Sequence, residues 1–358
     1  MRKSASNGRF LMSISVIIPS RPRSDGVLER CLGSLRDQLG PRDEVIVSID
    51  GPDLPASAGL FPEVQFLTGP RVGPGGARNR GIDIARGDLI LFLNDDVEAD
   101  PRLLDAHRTA HIDGSARMVL GSAPWAIPAD DRVIDRLLRE TSLIFFYNKM
   151  DDADPDRDWG FRHAWTLNLS LPKTIVSRFD ARLAQPMFDD LEWASRVRAA
   201  TGAPIVYRPA ARVTHHHRYT PEMLLRREAL LGHQAARLHE VNPGCAGAVF
   251  GERYLADMDE VCRHEHTVAD TLSKARRAFA DLRAVADAPS GAVDRWGLGR
   301  LFETCRVWRE AARSIGFLGF VNGTDAAGVQ DEALARLGGG VGRTPIVVPG
   351  PETLRSAS

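Results

Sequence analysis

The sequence predicts an α/β fold: a mixed, mostly parallel sheet flanked by helices, followed by an α-helical C-terminal extension. Ile14–Ile18, Glu44–Ile49 and residues 88–93 are nearly continuous apolar, β-rich runs, as expected for buried parallel strands. Residues 26–39 and 76–86, which lie between these runs, carry the apolar spacing of amphipathic helices. This alternation favours a parallel sheet of the nucleotide-binding type, with its binding site at the carboxyl ends of the strands.

Composition excludes several classes of protein. The chain has 358 residues, of which 43% are hydrophobic and 26% charged, as in a soluble globular protein with a large core. A formal net charge of -1 without a basic block argues against nucleic acid as the main partner. Four scattered cysteines argue against a disulfide framework or a thiolate zinc site. No apolar run approaches the ~20 residues that span a bilayer, so we expect a cytoplasmic protein, with contact at the inner face of a membrane as an alternative.

The composition changes near residue 222, where segments rich in Ala, Leu, Arg and Glu begin. We therefore predict a flexible leader (1–12), a sheet domain (13–222), a helical extension (223–337) and a flexible tail (338–358). The extension carries a heptad-like apolar stripe formed by Leu301, Cys305, Trp308, Ala312 and Ile315. Such a stripe must be buried. It packs against the sheet domain or within the extension, and a dimer seam or a membrane surface are the alternatives.

Residues 73–96 are the most informative segment, because they combine a glycine-rich turn, a helix, a buried strand and two acids. The strand delivers Asp95 and Asp96 to its carboxyl end. Adjacent carboxylates beside apolar residues are costly to bury unless a cation compensates them. A divalent metal is the usual compensation, and a metal beside a nucleotide-type sheet indicates phosphate chemistry.

Three further polar positions are candidates for the same chemistry. Asp50 ends the second strand, Asp189-Asp190 precede a helix, and three consecutive histidines begin at His215. Each also has a structural interpretation. Asp50 can form a turn before Gly51-Pro52, acids in a first helical turn complement the helix dipole, and histidines cluster on surfaces.

The motifs resemble those of family 2 glycosyltransferases, which have the GT-A fold. GARNRGIDIARGDLILFLNDDV resembles the segment that ends in the family's DXD-type motif. ISVIIPSRPR, which contains Pro19, resembles the first strand and its turn, and EVIVSIDGPD resembles the second strand. WTLNLS, MFDDLEWASRV and VTH resemble later segments, so that the matches extend in order over roughly residues 13 to 222.

The resemblance implies a role for each candidate residue. Asp50 binds the nucleoside, with Pro19 in the neighbouring turn. Asp96 and His215 bind Mn²⁺ or Mg²⁺, and Asp95 lies near the ribose or the metal. Asp190 is the general base, with Asp189 as the alternative.

The resemblance also implies sugar and phosphate contacts. Asn168 binds sugar hydroxyls, while Trp165 either stacks on a sugar or belongs to the core. Arg78 either approaches the diphosphate or supports the turn. Two departures matter: Asn94 replaces the first acid of the motif, and Arg21-Pro22 replace the usual aromatic residue and Asn, which weakens the assignment of the nucleotide.

The implied function is metal-dependent, inverting transfer of a sugar from a nucleotide-diphosphate sugar of the UDP or dTDP type to an acceptor hydroxyl. The acceptor would be a saccharide, a lipid-linked species or another hydroxyl compound, in polysaccharide, glycolipid or other glycoconjugate synthesis. Two alternatives stay open: a sugar-phosphate nucleotidyltransferase, and a catalytically decayed nucleotide-binding scaffold. Self-association or peripheral membrane contact through the C-terminal helices is a further expectation.

Overall fold

The structure is a computed structural model that describes residues 12–22, 25–145, 147, 150, 154–251 and 265–339. Its contacts divide the chain into two compact units. The first unit comprises the described residues within 1–124, 150–179 and 193–216, and the second comprises those within 125–149, 180–192 and 217–339. The predicted domain boundaries stay a prediction, but residues 125–149 and 180–192 group with the C-terminal helices. The predicted leader and tail lie almost entirely outside the described residues.

The first unit is built on an eight-stranded mixed sheet with the order β3-β2-β1-β4-β7-β6-β8-β5. Parallel pairing joins β3, β2, β1 and β4, and also β6 with β8, whereas β4–β7, β6–β7 and β5–β8 are antiparallel. The strands are β1 Ile14–Ser20, β2 Glu44–Ile49, β3 Gln65–Leu67, β4 Leu89–Leu93, β5 Val97–Ala99, β6 Met118–Ser122, β7 Asn168–Pro172 and β8 Ile205–His215.

The central strands are buried along nearly their whole length, which explains their continuous apolar sequences. Ile17 of β1 lies between Ile46 of β2 and Phe92 of β4 in the parallel register. Because β1, β2 and β4 run in the same direction, their carboxyl ends meet at one edge of the sheet. The antiparallel strand β7 begins at that edge, where Asn168 pairs with Leu93.

The helices of the first unit cover the sheet and include the greater part of α5, which crosses into the second unit. They are α1 Val27–Arg36, α2 Gly73–Ile84, α3 Leu103–Ala110 and α5 Asp189–Thr201. Helix α2 packs very close to β1, since a Cβ atom at Gly81 would lie 2.5 Å from the side chain of Ile17. Glycine at this position therefore sets the distance between helix and strand.

The second unit is helical, with α4 Val133–Glu140 packed into the same core as the C-terminal helices. The C-terminal helices are α6 Pro221–Val241, α7 Pro243–Phe250, α8 Glu265–Val285, α9 Arg295–Val321 and α10 Ala326–Leu337. All five residues of the predicted apolar stripe are buried in this core. The stripe is therefore covered within its own unit, and it does not supply the dimer seam or membrane surface that we considered as alternatives.

Helices α6 and α9 approach each other through two glycines. A Cβ atom at Gly232 would lie 1.9 Å from the carbonyl oxygen of Arg313, and one at Gly316 would lie 1.8 Å from that of Ala229. One helical turn from Gly232, the buried carboxylate of Glu228 joins the same two helices by ion pairs to Arg227 (α6) and to Arg309 and Arg313 (α9). Burial would raise the pKa of Glu228, but the three guanidinium charges hold it below its usual range.

The predicted fold class is confirmed: a mixed sheet flanked by helices, with a helical C-terminal region. None of the helices in the described part of the chain is both long and apolar enough to cross a membrane.

We expect Gly316→Ala to destabilise the second unit, because the added methyl group overlaps the carbonyl of Ala229 and forces α6 and α9 apart. The expected loss is about 1–3 kcal/mol in the free energy of unfolding, measured by urea denaturation. Gly299→Ala on the same helix is the matched control, since nothing lies within 4 Å of its Cβ position. It should raise stability by ~0.5–1 kcal/mol, because alanine is the better helix former. Equal effects of the two substitutions would contradict the close helix contact.

Candidate active site

The carboxyl end of β4 presents Asn94, Asp95 and Asp96 at the edge where β1 and β2 also end. Ser20, the last residue of β1, donates its hydroxyl hydrogen bond to Asp95 Oδ2 at 2.6 Å. Asp96 is only 9% exposed. The two carboxylates are therefore held at the sheet edge, as the sequence predicted.

The pairing of β5 with β8 brings His215 to Asp96. Val97 is the register partner of His215, and His215 Nε2 lies 3.4 Å from Asp96 Oδ1. His216 points elsewhere, with its Nε2 2.9 Å from Glu98 Oε2, while the His217 ring packs on Tyr219. His215 is thus the histidine of the triplet that shares a site with the acid pair, and it is 5% exposed.

Asn94 and Arg78 form a contact behind the acid pair. Arg78 Nη2 donates to Asn94 Oδ1 at 3.2 Å, and its guanidinium lies 5.6 Å from the centre of the Phe179 ring. The neighbouring Asn79 exchanges two hydrogen bonds with the backbone of Phe179, which fixes α2 on this segment. These contacts favour the supporting role for Arg78, and its contact with a diphosphate stays a prediction.

Asp50 anchors the glycine-rich turn. Its Oδ1 accepts hydrogen bonds from the backbone amides of Val72 at 2.6 Å and Gly73 at 3.1 Å, where α2 begins. A carboxylate at a helix N-terminus is favourable because it satisfies unpaired amides and complements the helix dipole. Its Oδ2 accepts from Arg21, whose side chain is 62% exposed. Because Arg21 is exposed, it can leave Asp50 without loss of core packing.

Asn168 has a different environment from the one predicted for a sugar-binding residue. It is fully buried, and its Nδ2 donates to the carbonyls of Ser122 and Ala211. Its Oδ1 lies 2.9 Å from His107 Nε2, and Ser170 Oγ lies 2.8 Å from a ring nitrogen of both His107 and His111. The side chain thus holds β6, β7, β8 and α3 together, and the predicted sugar contact has no support in this geometry.

Both histidines of this network have lowered pKa values, mainly because they are buried. Burial lowers the pKa of His107 to about 4, against a hydrogen bond to Asn168 that raises it. Burial, and then the charge of His107, lower the pKa of His111 to about 3. Both rings are therefore neutral near pH 7.

The remaining predicted contacts in the first unit are less distinct. Trp165 is nine-tenths buried, with its ring 5.7 Å from that of His163, which favours the core interpretation over sugar stacking. Pro19 is half-buried in β1 and pairs with Ser48 of β2. Their roles toward a donor stay predictions.

Asp189 and Asp190 open α5 in the second unit. Asp189 is 5% exposed, whereas Asp190 is half-buried and its Oδ1 accepts the backbone amide of Leu191. The more accessible Asp190 is better suited to meet a substrate hydroxyl. The two preceding residues, Met187 and Phe188, have φ angles of 90° and 63°, which are unusual for residues other than glycine.

The donor set at Asp96 and His215 fits a divalent cation that is completed by substrate oxygens. Within the residues that the structure describes, no three His, Cys, Asp or Glu side chains converge as a ready metal site. Sites of this kind often use one or two protein ligands together with the phosphates of the substrate. The chemistry of this pair is therefore compatible with a metal that arrives with a diphosphate.

Sequence reasoning did not identify three groups at this edge. Ser20 holds Asp95, Arg21 binds Asp50, and Glu98 holds His216. Ser20 could have been a candidate from the sequence, because it ends a strand that lies beside β4 in a parallel sheet.

Residues 15–164 match the profile of a known family, whose description is Glycosyl transferase family 2. The match covers β1 to β6 and includes Asp50, Arg78, Asp95 and Asp96.

Two curated proteins are similar to part of this chain. The succinoglycan biosynthesis protein ExoW of Rhizobium meliloti (strain 1021) is 34% identical over 109 residues, covering 28% of this chain. The uncharacterized glycosyltransferase YibD of Escherichia coli (strain K12) is 29% identical over 118 residues, covering 31% of this chain. The chain spans 34% of the length of each. The solved structure of S. aureus TarS 1–349 is 14% identical, with a TM-score of 0.44 over 87% of this chain and 92% of that one.

We expect the stability of the protein to fall as the pH drops below about 6.5, the ordinary pKa of histidine. The buried histidines have lowered pKa values in the folded state. Their contribution is therefore fully present above that pH and is lost as the pH falls toward their folded values, because the unfolded chain binds more protons. Each proton gives a slope of ~1.4 kcal/mol per pH unit.

His111→Phe should reduce this slope by up to the contribution of one proton, ~1.4 kcal/mol per pH unit. Urea denaturation at pH 7.5, 6 and 5 measures the slope. His239→Gln is the control, since His239 is an exposed residue of α6. An unchanged slope in His111→Phe would show that His111 is not protonated on unfolding in this range.

Proposed function

We propose that the protein transfers a sugar from a nucleotide-diphosphate sugar to an acceptor hydroxyl, because residues 15–164 match the profile described as Glycosyl transferase family 2. The transfer is metal-dependent and inverts the anomeric carbon. The observation that carries this proposal is the approach of His215 to Asp96 beside Asp95, at the edge of the sheet where Asp50 also lies.

Asp96 and His215 would hold the metal, which would be Mn²⁺ or Mg²⁺. A carboxylate suits both ions, whereas an imidazole nitrogen is a softer donor than Mg²⁺ prefers, so this pair favours Mn²⁺. When bound, the ion would neutralise the charge that develops on the leaving diphosphate. Asp95, fixed by Ser20, faces the ribose or the same ion.

Asp50 receives the nucleoside of the donor. Its carboxylate is already oriented by the two amides at the start of α2, so little conformational freedom is lost on binding. The exposed Arg21 covers one of its oxygens and must move, or contribute its own hydrogen bond, when a base is bound. A uracil or thymine base fits this pair, because its N3–H donates to a carboxylate and its carbonyls accept from a guanidinium.

Asp190 removes the proton from the acceptor hydroxyl as the oxygen attacks the anomeric carbon. A single in-line displacement of this kind breaks the bond between the sugar and the diphosphate, and it inverts the configuration. The exposure of Asp190 relative to Asp189 supports this assignment.

The acceptor belongs to polysaccharide or other glycoconjugate synthesis. One relative, ExoW, is described as a protein of succinoglycan biosynthesis, but the similarity covers only 34% of its length. A nucleotidyltransferase would release diphosphate, whereas the proposed reaction releases a nucleoside diphosphate. Thermal-shift screening with UDP-, dTDP- and GDP-sugars in the presence of Mn²⁺ identifies the donor, because a ligand that binds the folded state raises its apparent stability. Product analysis then separates the two reactions.

We expect Asp96→Asn to abolish transfer while the protein remains folded, because the change removes a metal-binding carboxylate without altering its size. The Mn²⁺-dependent part of the thermal shift with the donor should also disappear. Glu98→Gln, two residues further along at an exposed position, is the control and should retain both. Full transfer activity in excess chelator would refute the role of the metal.

We expect Asp190→Asn to lower kcat by at least ~100-fold, as is typical for removal of a general base, with donor binding unchanged. Steady-state kinetics and the donor-induced thermal shift measure the two quantities separately. Asp189→Asn should have the smaller effect on kcat. A rise in KM with an unchanged kcat would make Asp190 a binding residue and not the base.

A further inference from the structure

The backbone before the two acids of α5 has an uncommon conformation. Met187 and Phe188 are consecutive non-glycine residues with φ angles of 90° and 63°. Side chains disfavour this region, so such a conformation persists only where surrounding contacts hold it. The segment leads directly into Asp189 and Asp190, and any relaxation of it would redirect both carboxylates.

Contacts on both sides of the acid pair come from α7: one from its last residue, Phe250, and one from Asn242, which joins it to α6. Before the pair, the Phe188 ring packs edge-to-face on Phe250, with ring centres 5.2 Å apart. After the pair, Asn242 Nδ2 donates to Glu192 Oε1 at 3.1 Å, and Glu192 is 1% exposed. The Glu192 amide donates to the Phe188 carbonyl at 2.9 Å, which closes the turn between the two contacts.

Asn242 is also fixed on its other side. Its Oδ1 accepts from the backbone amide of Cys245 at 3.0 Å and thereby caps the N-terminus of α7. The backbone amide of Asn242 donates to the carbonyl of Leu238 at the end of α6. The side chain therefore connects the chain reversal between α6 and α7 to the first turn of α5.

We propose that Asn242 and Phe250 are positioning residues for the reaction: they hold Met187 and Phe188 in their left-handed conformation and so orient the Asp190 carboxylate in the first turn of α5. Both residues lie beyond the family-matched segment, in the region for which the sequence predicted helical packing, self-association or membrane contact. The inference rests on the proposed role of Asp190 as the base. It assigns the α6–α7 junction a function in catalysis without placing it in contact with substrate.

The chain offers a substitution that separates the two functions of Asn242. Asn242→Asp keeps an oxygen that can cap α7 but loses the hydrogen-bond donor to Glu192. Asn242→Ser keeps a capping hydroxyl, but its shorter side chain cannot reach Glu192. Combining Asn242→Asp with Glu192→Gln reverses donor and acceptor, and it should restore the hydrogen bond. Phe250→Ala removes the ring contact, and Leu298→Ala, in the hydrophobic core of the second unit but far along the chain from Asn242, is the control for general loss of stability.

Hydrogen–deuterium exchange of the full-length protein tests the structural part without a substrate. Asn242→Asp, Asn242→Ser and Phe250→Ala should speed exchange at least ~10-fold in the peptide that covers residues 186–193, since the opening of this segment is no longer opposed. Peptides from β1 and β4 should be unchanged. The exchange should return toward the wild-type rate in the reversed pair, and Leu298→Ala should not raise it selectively.

Steady-state kinetics test the catalytic part of the proposal. The donor is whichever nucleotide sugar the protein turns over among UDP-glucose, UDP-galactose, UDP-N-acetylglucosamine, dTDP-rhamnose and GDP-mannose. In the protein with Asp190, Asn242→Asp should lower kcat ~10- to 100-fold with the donor KM unchanged, because a small misplacement of a reacting group is costly. The reversed pair should recover most of this loss. In the Asp190→Asn background the same substitution should have no further effect, because it acts through Asp190.

The outcomes distinguish a positioning role of Asn242 and Phe250 from a general effect on stability. Equal losses from Asn242→Asp with and without Asp190, or unchanged exchange of residues 186–193, would overturn the positioning role. A loss that follows thermal stability as in Leu298→Ala, without recovery in the reversed pair, would also overturn it. If Asp190→Asn itself turns over like the wild type, the assignment of the base is wrong, and the exchange measurement still decides whether the junction holds the segment.

Discussion

The first unit depends on how two carboxylates are tolerated at the end of a fully buried strand. Asp95 and Asp96 follow β4 at the edge of the core. They stay largely removed from water there, which disfavours their negative charge. Contacts from two neighbouring strands offset this cost: Ser20 of β1 lies against Asp95, and His215 of β8 lies against Asp96. The sheet order therefore does more than bury apolar surface. It brings polar side chains from distant segments to the end of β4, where the carboxylates lie.

The helical unit satisfies an analogous constraint in a different way. Glu228 is buried, but three arginines from α6 and α9 surround it, and the two glycines in these helices allow their backbones to meet. Buried ion pairs add little net stability, but loss of one partner is strongly unfavourable. The contact therefore restricts how α6 can sit on α9. Because α6 leads directly into Asn242, the packing of this pair of helices also fixes the junction that holds the turn before α5.

Sequence reasoning recovered the parts of the fold that a local pattern determines. β1, β2 and β4 are continuous apolar runs, and α1 and α2 were predicted to within a few residues because their apolar spacing is regular. Strands β5 and β7 were missed. β5 has three residues, and β7 alternates polar and apolar residues because its polar residues Asn168 and Ser170 bond to buried histidines. Their pairing depends on partners far along the chain, which no local pattern reveals.

The candidate site shows the same division. The resemblance located the acid pair, Asp50, Asp190 and the histidine triplet, but it could not say which side chains their neighbours would engage. Asn168 was assigned to a sugar from its place in a motif, whereas the structure surrounds it with carbonyls and His107. The left-handed backbone at Phe188 was also invisible to the sequence, because the ring that Phe188 packs against, Phe250, lies more than sixty residues later.

The cysteine beneath the acid pair has a further consequence. Cys31 of α1 is buried, and its Sγ lies 3.6 Å from the carbonyl oxygen of Asn94. Burial, together with the negative charges of Asp95 and Asp96, raises the pKa of the Cys31 thiol far above its usual range. Since the thiolate is the reactive form, this sulfur is chemically silent toward alkylating reagents as long as the end of β4 stays closed. The rate at which an alkylating reagent modifies Cys31 therefore reports how often the end of β4 opens and exposes the acid pair to solvent.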